Sequence, residues 1–148
     1  MTQVAASIDI AAPPERVWQV VMDPDRLDDW VTIHRRVGKV SDRPLRNGST
    51  LEQTLCLRGL SVKVRWTVSE ARAFELAVWE GRGPARAKAH TTYRLSPEGS
   101  HGTRFDYEVE FKAPLGPIGA AASRALVGGV PQREADRTLA RLRALFES

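Results

Sequence analysis

Alternation of apolar and polar residues is the main feature of the first 112 residues of the chain. Residues 4–10 alternate with a period of two, which predicts a half-buried first strand. Six further segments with strand character follow, and the clearest of them is 60–68. They are separated by turn signals at Arg43-Pro44, Asn47-Gly48, Arg58-Gly59, 81–84 and 97–102. This spacing predicts an antiparallel meander.

The apolar side of each predicted strand marks the face that packs on the core. That face comprises Leu51, Gln53, Leu55 and Leu57, then Leu60, Val62, Val64, Trp66 and Val68, then Phe74, Leu76 and Val78, then Ala87, Ala89, Thr91, Tyr93 and Leu95, and finally Phe105, Tyr107, Val109 and Phe111. Trp79 breaks the alternation, which indicates either a bulge or an outward position. The small residues Ala87 and Ala89 either let a helix approach closely or leave a void that a ligand fills.

Helices are predicted at three places. Pro14 and Glu15 are typical of a helix start, and Asp23 is a plausible N-cap for a second short helix over 24–29. Residues 132–147 carry a one-sided apolar stripe that predicts a long amphipathic helix. Gly128, Gly129 and Pro131 interrupt the segment between this helix and the alanine-rich residues 118–127, so we expect a kink or hinge there.

The order of these elements is strand, two short helices, about six strands and a long helix, which predicts an α+β arrangement with one sheet curved around one helix. Several short motifs add to this pattern: Ile8-Asp9-Ile10, the run 12–18 (Ala-Pro-Pro-Glu-Arg-Val-Trp), Asp23-Pro24, Trp30, Gly102-Thr103-Arg104 and the run 139–142 (Leu-Ala-Arg-Leu). Over the whole chain they resemble the START-like (SRPBCC) superfamily, specifically its bacterial polyketide cyclase/dehydrase and lipid-transport branch. The resemblance implies a helix-grip fold, in which a seven-stranded antiparallel sheet wraps the C-terminal helix around a hydrophobic cavity. Members of this superfamily range from cyclases to lipid carriers, so the fold does not decide the function.

Composition narrows the class of protein. A chain of 148 residues with 42% hydrophobic and 27% charged residues is typical of one globular domain. The 22 basic and 18 acidic residues are spread along the sequence, which argues against nucleic-acid binding. The single cysteine, Cys56, excludes an internal disulfide, and no secretory signal or membrane-spanning stretch is recognisable. We therefore expect a cytoplasmic monomer or homodimer without a cofactor.

The predicted function is binding of a small hydrophobic molecule, aromatic or lipid-like, by a carrier or sensor. The residues expected to contact it are Trp30, His34, Leu55, Leu57, Val64, Trp66, Leu76, Val78, Ala89, Tyr93, Phe105, Tyr107, Val109 and Leu126. Two alternatives stay open. One is a polyketide cyclase, aromatase or dehydratase, and the other is an adaptor that binds a protein partner through the outer face of the sheet.

Catalytic candidates are few. His34, Tyr93 and Tyr107 are the acid/base candidates of the enzymatic alternative. His34 either faces the cavity mouth or, as we prefer, is a surface histidine beside Arg35 and Arg36. The tyrosines either pack in the core or hydrogen-bond a ligand. Three scattered histidines without a carboxylate at ligand spacing predict no metal site.

The resemblance implies that a cyclase would hold an arginine inside the cavity, where it would polarise a substrate carbonyl. Alternation instead places the strand arginines Arg58, Arg65, Arg94 and Arg104 on the outer face. Arg82, Arg86 and Arg124 are the remaining candidates. This pattern weakens the enzymatic alternative.

Overall fold

A seven-stranded antiparallel sheet dominates the computed structural model of the protein, which describes residues 2–57, 59–112, 116 and 130–147. Its strands are β1 (Thr2–Ile10), β2 (His34–Gly38), β3 (Thr50–Leu57), β4 (Leu60–Arg72), β5 (Leu76–Arg82), β6 (Lys88–Glu98) and β7 (Gly102–Lys112). Strands β2 to β7 form a meander, and β1 pairs with β7 to give the order β1-β7-β6-β5-β4-β3-β2. The predicted seven strands and the α+β class are confirmed.

Two short helices carry the chain from β1, at one edge of the sheet, to β2 at the other. These are α1 (Pro14–Val21) and α2 (Leu27–Trp30), with a 3-10 turn over Pro24–Arg26 between them. A carboxylate oxygen of Asp23 accepts a hydrogen bond from the backbone N–H of Asp25 at 3.0 Å, which confirms the predicted cap. The junction of β1 and α1 is held by Thr103, whose hydroxyl donates to the carbonyl of Ala12 at 2.7 Å.

The third helix, α3 (Val130–Ala144), packs on β1 and α2 through its predicted apolar stripe. Ala135, Leu139 and Leu142 are buried, and full burial of a leucine side chain contributes about 1.5–3 kcal/mol. Pro131 lies in the first turn of α3, where a missing N–H leaves no helical bond unmade. The predicted break at residues 128–129, the alanine-rich residues 118–127 and Leu126 lie outside the described residues.

Strand β5 differs from the prediction, because its inward positions are Ala77, Trp79 and Gly81. A β-bulge at Ser69 of β4 pairs Val68 with Trp79 but Glu70 with Val78, so the alternation shifts by one residue along β4. The expected inward position of Val78 is wrong, since it alternates with Trp79 and shares the outer face with Glu80.

The start of β5 differs as well. Phe74 lies in the β4–β5 turn with a φ of 69° and is 41% exposed, so the expectation of an inward strand position for it is wrong. Leu76, the first residue of β5, is buried, but it has the parity of Val78 and lies outside the main hydrophobic cluster. The charged side chains of Glu80 and Arg82 explain which face of β5 points inward, because burying a charge on the inner face would cost free energy.

Candidate functional site

A partly enclosed cavity of about 250 Å³ lies between the inner face of the sheet and α3. Strands β3, β4, β6 and β7 supply most of its wall, and the α2–β2 loop and α3 close it from the other side. The lining consists of Val4, Leu27, Val31, Ile33, Leu51, Gln53, Leu55, Leu60, Val62, Val64, Trp66, Trp79, Gly83, Ala87, Lys88, Ala89, Thr91, Tyr93, Tyr107, Val109, Phe111, Lys112, Pro131, Glu134, Ala135 and Thr138. Most of this surface is apolar, as expected for a site that takes a hydrophobic molecule.

The cavity brings together seven of the residues expected to contact a ligand. These are Leu55, Val64, Trp66, Ala89, Tyr93, Tyr107 and Val109. Five others, Trp30, His34, Leu76, Val78 and Phe105, do not line it. The side chain of Leu57 and the whole of Leu126 are outside the described part of the chain.

Trp30 and Phe105 form a second aromatic layer behind the cavity wall. The ring of Trp30 meets the ring of Tyr93 edge-on at a centroid distance of 5.8 Å and that of Phe105 at 6.3 Å. Both residues are fully buried, so they support the lining residue Tyr93 without reaching the cavity themselves. This packing fixes the ring orientation of Tyr93.

A buried chain of polar groups runs from the cavity wall to the surface. The indole Nε1–H of Trp66 donates to Oε1 of Gln53 at 2.9 Å, and Nε2 of Gln53 lies 2.8 Å from Nδ1 of His34. An indole only donates, so it fixes the orientation of the Gln53 amide and makes Nδ1 of His34 the acceptor. The proton of the neutral imidazole then lies on Nε2, which is 3.4 Å from a carboxylate oxygen of Asp28.

His34 is 8% exposed, so the preferred expectation of a surface histidine is wrong. It pairs with Leu55 of β3 and a β-bulge separates it from Arg36, which lets both neighbouring arginines stay at or near the surface while the imidazole turns inward. Burial lowers the pKa of His34, and the carboxylate of Asp28 opposes this shift. His34 is therefore held neutral behind Gln53 and does not touch the cavity.

Two tyrosine hydroxyls supply much of the polarity of the inner wall. Tyr93 of β6 and Tyr107 of β7 are direct cross-strand partners, with ring centroids 5.9 Å apart. Neither hydroxyl has a hydrogen-bond partner among the residues that the structure describes. Burial raises the pKa of Tyr107 to about 12, and burial together with Tyr107 raises the pKa of Tyr93 well above its usual value. Both phenols stay protonated at neutral pH and can donate a hydrogen bond to a ligand.

The α2–β2 loop is joined to α3 by polar contacts along one wall of the cavity. The hydroxyl of Thr32 donates to a carboxylate oxygen of Glu134 at 2.6 Å and lies 3.1 Å from the hydroxyl of Thr138. The backbone N–H of Thr32 also donates to Thr138 at 3.1 Å. Glu134 and Thr138 are thereby fixed in the lining, and the carboxylate of Glu134 is already engaged.

Gln53, Trp79 and Gly81 are among the residues of the site that were not recognised as site residues from the sequence. Gln53 was visible as a polar residue within the apolar face of β3. Trp79 could have been placed by Glu80 and Arg82, which alternate with it and require solvent. Gly81 makes room for Trp66, because a Cβ atom at position 81 would lie 2.7 Å from the indole ring.

The strand arginines keep to the outer face, as predicted. Arg65, Arg94 and Arg104 are exposed, and so are Arg82 and Arg86 near the β5–β6 connection. Arg58 and Arg124 fall outside the described residues. No group of three metal-ligating side chains occurs in the described ranges, and no helix within them is long and apolar enough to cross a membrane.

The chain is similar in sequence or in fold to several known proteins. A Mycobacterium tuberculosis protein named as a toxin is 28% identical over 128 residues, covering 85% of this chain and 88% of that protein. A Thermus thermophilus protein of solved structure has a TM-score of 0.76 at 21% identity, covering 97% of this chain and 95% of its own. The Zhui aromatase/cyclase of a Streptomyces species has a TM-score of 0.73 at 16% identity, covering 97% and 92%. The two solved structures share the helix-grip fold with this chain.

The family model provides the assignment. Residues 1–147 match the model described as polyketide cyclase/dehydrase and lipid transport. The resemblance seen in the sequence motifs is thereby confirmed over nearly the whole length of the chain. The protein belongs to the polyketide cyclase/dehydrase and lipid-transport family of the START-like superfamily.

Proposed function

We propose that the protein is a carrier or sensor that binds a small, uncharged, ring-containing molecule in the cavity between the sheet and α3. The observation that carries this proposal is an apolar cavity of about 250 Å³ whose wall holds two tyrosine hydroxyls without a hydrogen-bond partner among the described residues. By proportion to the ~150 Å³ cavity that holds benzene, it has room for roughly ten non-hydrogen atoms. One or two fused rings fit this size, and a whole diacyl lipid does not.

The polar groups of the wall favour an oxygen acceptor on the ligand. The protonated phenols of Tyr93 and Tyr107 each offer a donor, and the Gln53 amide has one N–H left after its bond to His34. A carbonyl, quinone or ether oxygen would satisfy such donors, at about 0.5–1.5 kcal/mol for each net hydrogen bond. A cationic ligand would meet no free carboxylate among the described lining residues, because Glu134 is already paired with Arg137 at 3.4 Å and accepts a hydrogen bond from Thr32.

Ligand screening with a cavity-filling variant tests the proposal. The purified protein is analysed by native mass spectrometry for co-purified compounds, and then by thermal shift with naphthoquinones, bicyclic ketones and fatty acids. Ala89→Phe places a ring in the cavity, whereas Ala73→Phe adds the same ring in the exposed β4–β5 turn. We expect the ring compounds to raise the melting temperature of the wild type and of Ala73→Phe but not of Ala89→Phe. A shift that survives in Ala89→Phe would contradict binding in this cavity.

A second candidate is turnover of a polyketide-type substrate, and the inward tyrosine pair is the observation that favours it. Neutral phenols can polarise a substrate carbonyl, as hydrogen-bond donors do in an oxyanion hole. His34 is a poor base for such a reaction, because Gln53 stands between it and the cavity. Tyr107→Phe separates the two candidates: a binding protein should lose about tenfold in affinity or less, while an enzyme that uses this phenol should lose most of its turnover.

A further inference from the structure

Positive charge is concentrated at one end of the sheet, although basic residues are spread along the sequence. Residues 53–69 and 81–93 together hold six of the 22 basic residues and none of the 18 acidic ones, leaving 16 basic residues elsewhere. The described residues of these stretches include the end of the sheet where β3 turns into β4 and β5 connects to β6. They touch there, since a Cβ atom at Gly83 would lie 3.7 Å from the carbonyl oxygen of Lys63. The rest of the chain has a slight excess of acids.

The register of the sheet arranges three of these cations and Lys112 in one row across neighbouring strands. Arg65 of β4 pairs with Arg82 of β5, Arg82 with Lys88 of β6, and Lys88 with Lys112 of β7. All four side chains are exposed. Like charges directly opposite each other destabilise a sheet, so this row costs the fold some stability.

Carboxylates do little to neutralise the row. Arg65 has Glu52 at 3.8 Å, but no carboxylate of the described residues lies within 4.0 Å of Arg82, Lys88 or Lys112. The next row on the same face contains Glu80, whose carboxylate is bound to His90, and Glu110. An exposed row of cations in which three of four have no carboxylate partner among the described residues suits an anionic partner.

Two of the four cations of the row lie at the rim of the cavity. Lys88 and Lys112 belong to the cavity lining and are also exposed, so the lining reaches the surface beside them. The half-buried apolar residues Leu60 and Val62 line the same end. A surface that combines cations with an apolar opening matches a bilayer, which has anionic headgroups over an apolar interior.

We propose that this end of the sheet docks on anionic lipid headgroups and holds the cavity rim against a bilayer, from which the ligand enters. The route for the ligand builds on the proposed function, but the docking itself needs no ligand. Single-stranded nucleic acid fits the surface less well, because base stacking requires exposed aromatic rings and Trp66 and Trp79 of these strands are buried. The test below includes a duplex, which binds through its phosphates.

Vesicle binding by matched charge variants tests the inference. The probes are vesicles of phosphatidylcholine alone and of phosphatidylcholine mixed equally with phosphatidylglycerol, and the readout is co-sedimentation. Lys88→Gln with Lys112→Gln removes two cations at the rim. Arg72→Gln with Arg94→Gln removes two exposed cations that both lie opposite Leu76, at the far end of the sheet.

The wild type should bind the anionic vesicles, weaken with added salt and ignore the neutral ones. Each cation near an anionic membrane surface contributes about fivefold to the affinity, so the rim variant should bind the anionic vesicles roughly 30-fold more weakly. The far-end variant should change little. Thermal shift with ring compounds should stay the same in the far-end variant, whose residues lie outside the cavity lining. Co-sedimentation is measured without ring compounds, so failure of docking is distinguishable from failure of ligand binding. Equal losses in the two variants, equal binding to neutral vesicles, or tighter binding of a duplex oligonucleotide through Lys88 and Lys112 would overturn the inference.

Discussion

Replacing Gln53 by leucine removes the centre of the polar chain that joins Trp66 to His34. Leucine has nearly the same volume but leaves the indole N–H of Trp66 and the Nδ1 atom of His34 without their partners. Each buried polar group left unpaired costs about 1–3 kcal/mol. The more apolar side chain offsets part of this cost, so we expect the free energy of unfolding to fall by about 3 kcal/mol. For a chain of this size the melting temperature should drop by about 6–12 °C.

Urea unfolding measures the loss, and Gln3→Leu is the matched control. Gln3 lies exposed on β1, so the same chemical change should alter the free energy of unfolding by less than about 0.5 kcal/mol. Nitrogen NMR of the His34 ring gives an independent readout, because the polar chain requires the proton on Nε2 in the wild type. The network would be refuted if Gln53→Leu cost no more than Gln3→Leu, or if Nδ1 of His34 carried the proton.

Three further predictions follow from the burial of the site. The protein contains two tyrosines, and both have a raised pKa. Near-ultraviolet titration of the native protein should therefore show no tyrosinate at pH ~10, where an unfolded tyrosine is half ionised. Ionisation of either tyrosine at its usual pKa would contradict the burial of the pair. The pKa of His34 is lowered on folding, so the unfolded chain binds its proton more readily and the free energy of unfolding should fall as pH drops below ~6.5. In His34→Gln that slope should largely vanish in urea titrations at several pH values, and an unchanged slope would assign it to other groups. Leu139→Ala should cost about 2–5 kcal/mol by calorimetry, while Leu145→Ala on the exposed side of the helix end should cost far less.

The positions of most strands and helices could be predicted from the sequence, because each element repeats its apolar residues with the period of its secondary structure. The stripe of α3 and the alternation of β4, β6 and β7 are properties of adjacent residues, and the structure reproduces them. The inward face of β5 was assigned wrongly because its apolar residues Leu76 and Val78 have the parity of the outer face, on which Glu80 also lies. The bulge at Ser69 of β4 could not be seen in a local pattern, because a bulge changes the pairing of two strands while leaving the composition of each strand ordinary.

The site was predicted less completely, for the same reason. Aromatic and aliphatic lining residues such as Trp66 and Val109 lie on faces that alternation identifies. The burial of His34 depends on Gln53 and Trp66, which are 19 and 32 positions away in sequence, so no local pattern reveals it. The row of cations likewise exists only once four strands are placed in register.

The contacts of Thr32 make one seam of the cavity wall different from the rest. Most of the wall is held by burial of large apolar side chains, whereas the α2–β2 loop meets α3 through hydroxyls and a carboxylate. A hydrogen bond that water can replace contributes about 0.5–1.5 kcal/mol, against about 1.5–3 kcal/mol for a buried leucine. Separating the loop from α3 at this seam would exchange these hydrogen bonds for hydrogen bonds to water, so each contact should cost less free energy to open than one made by a buried leucine.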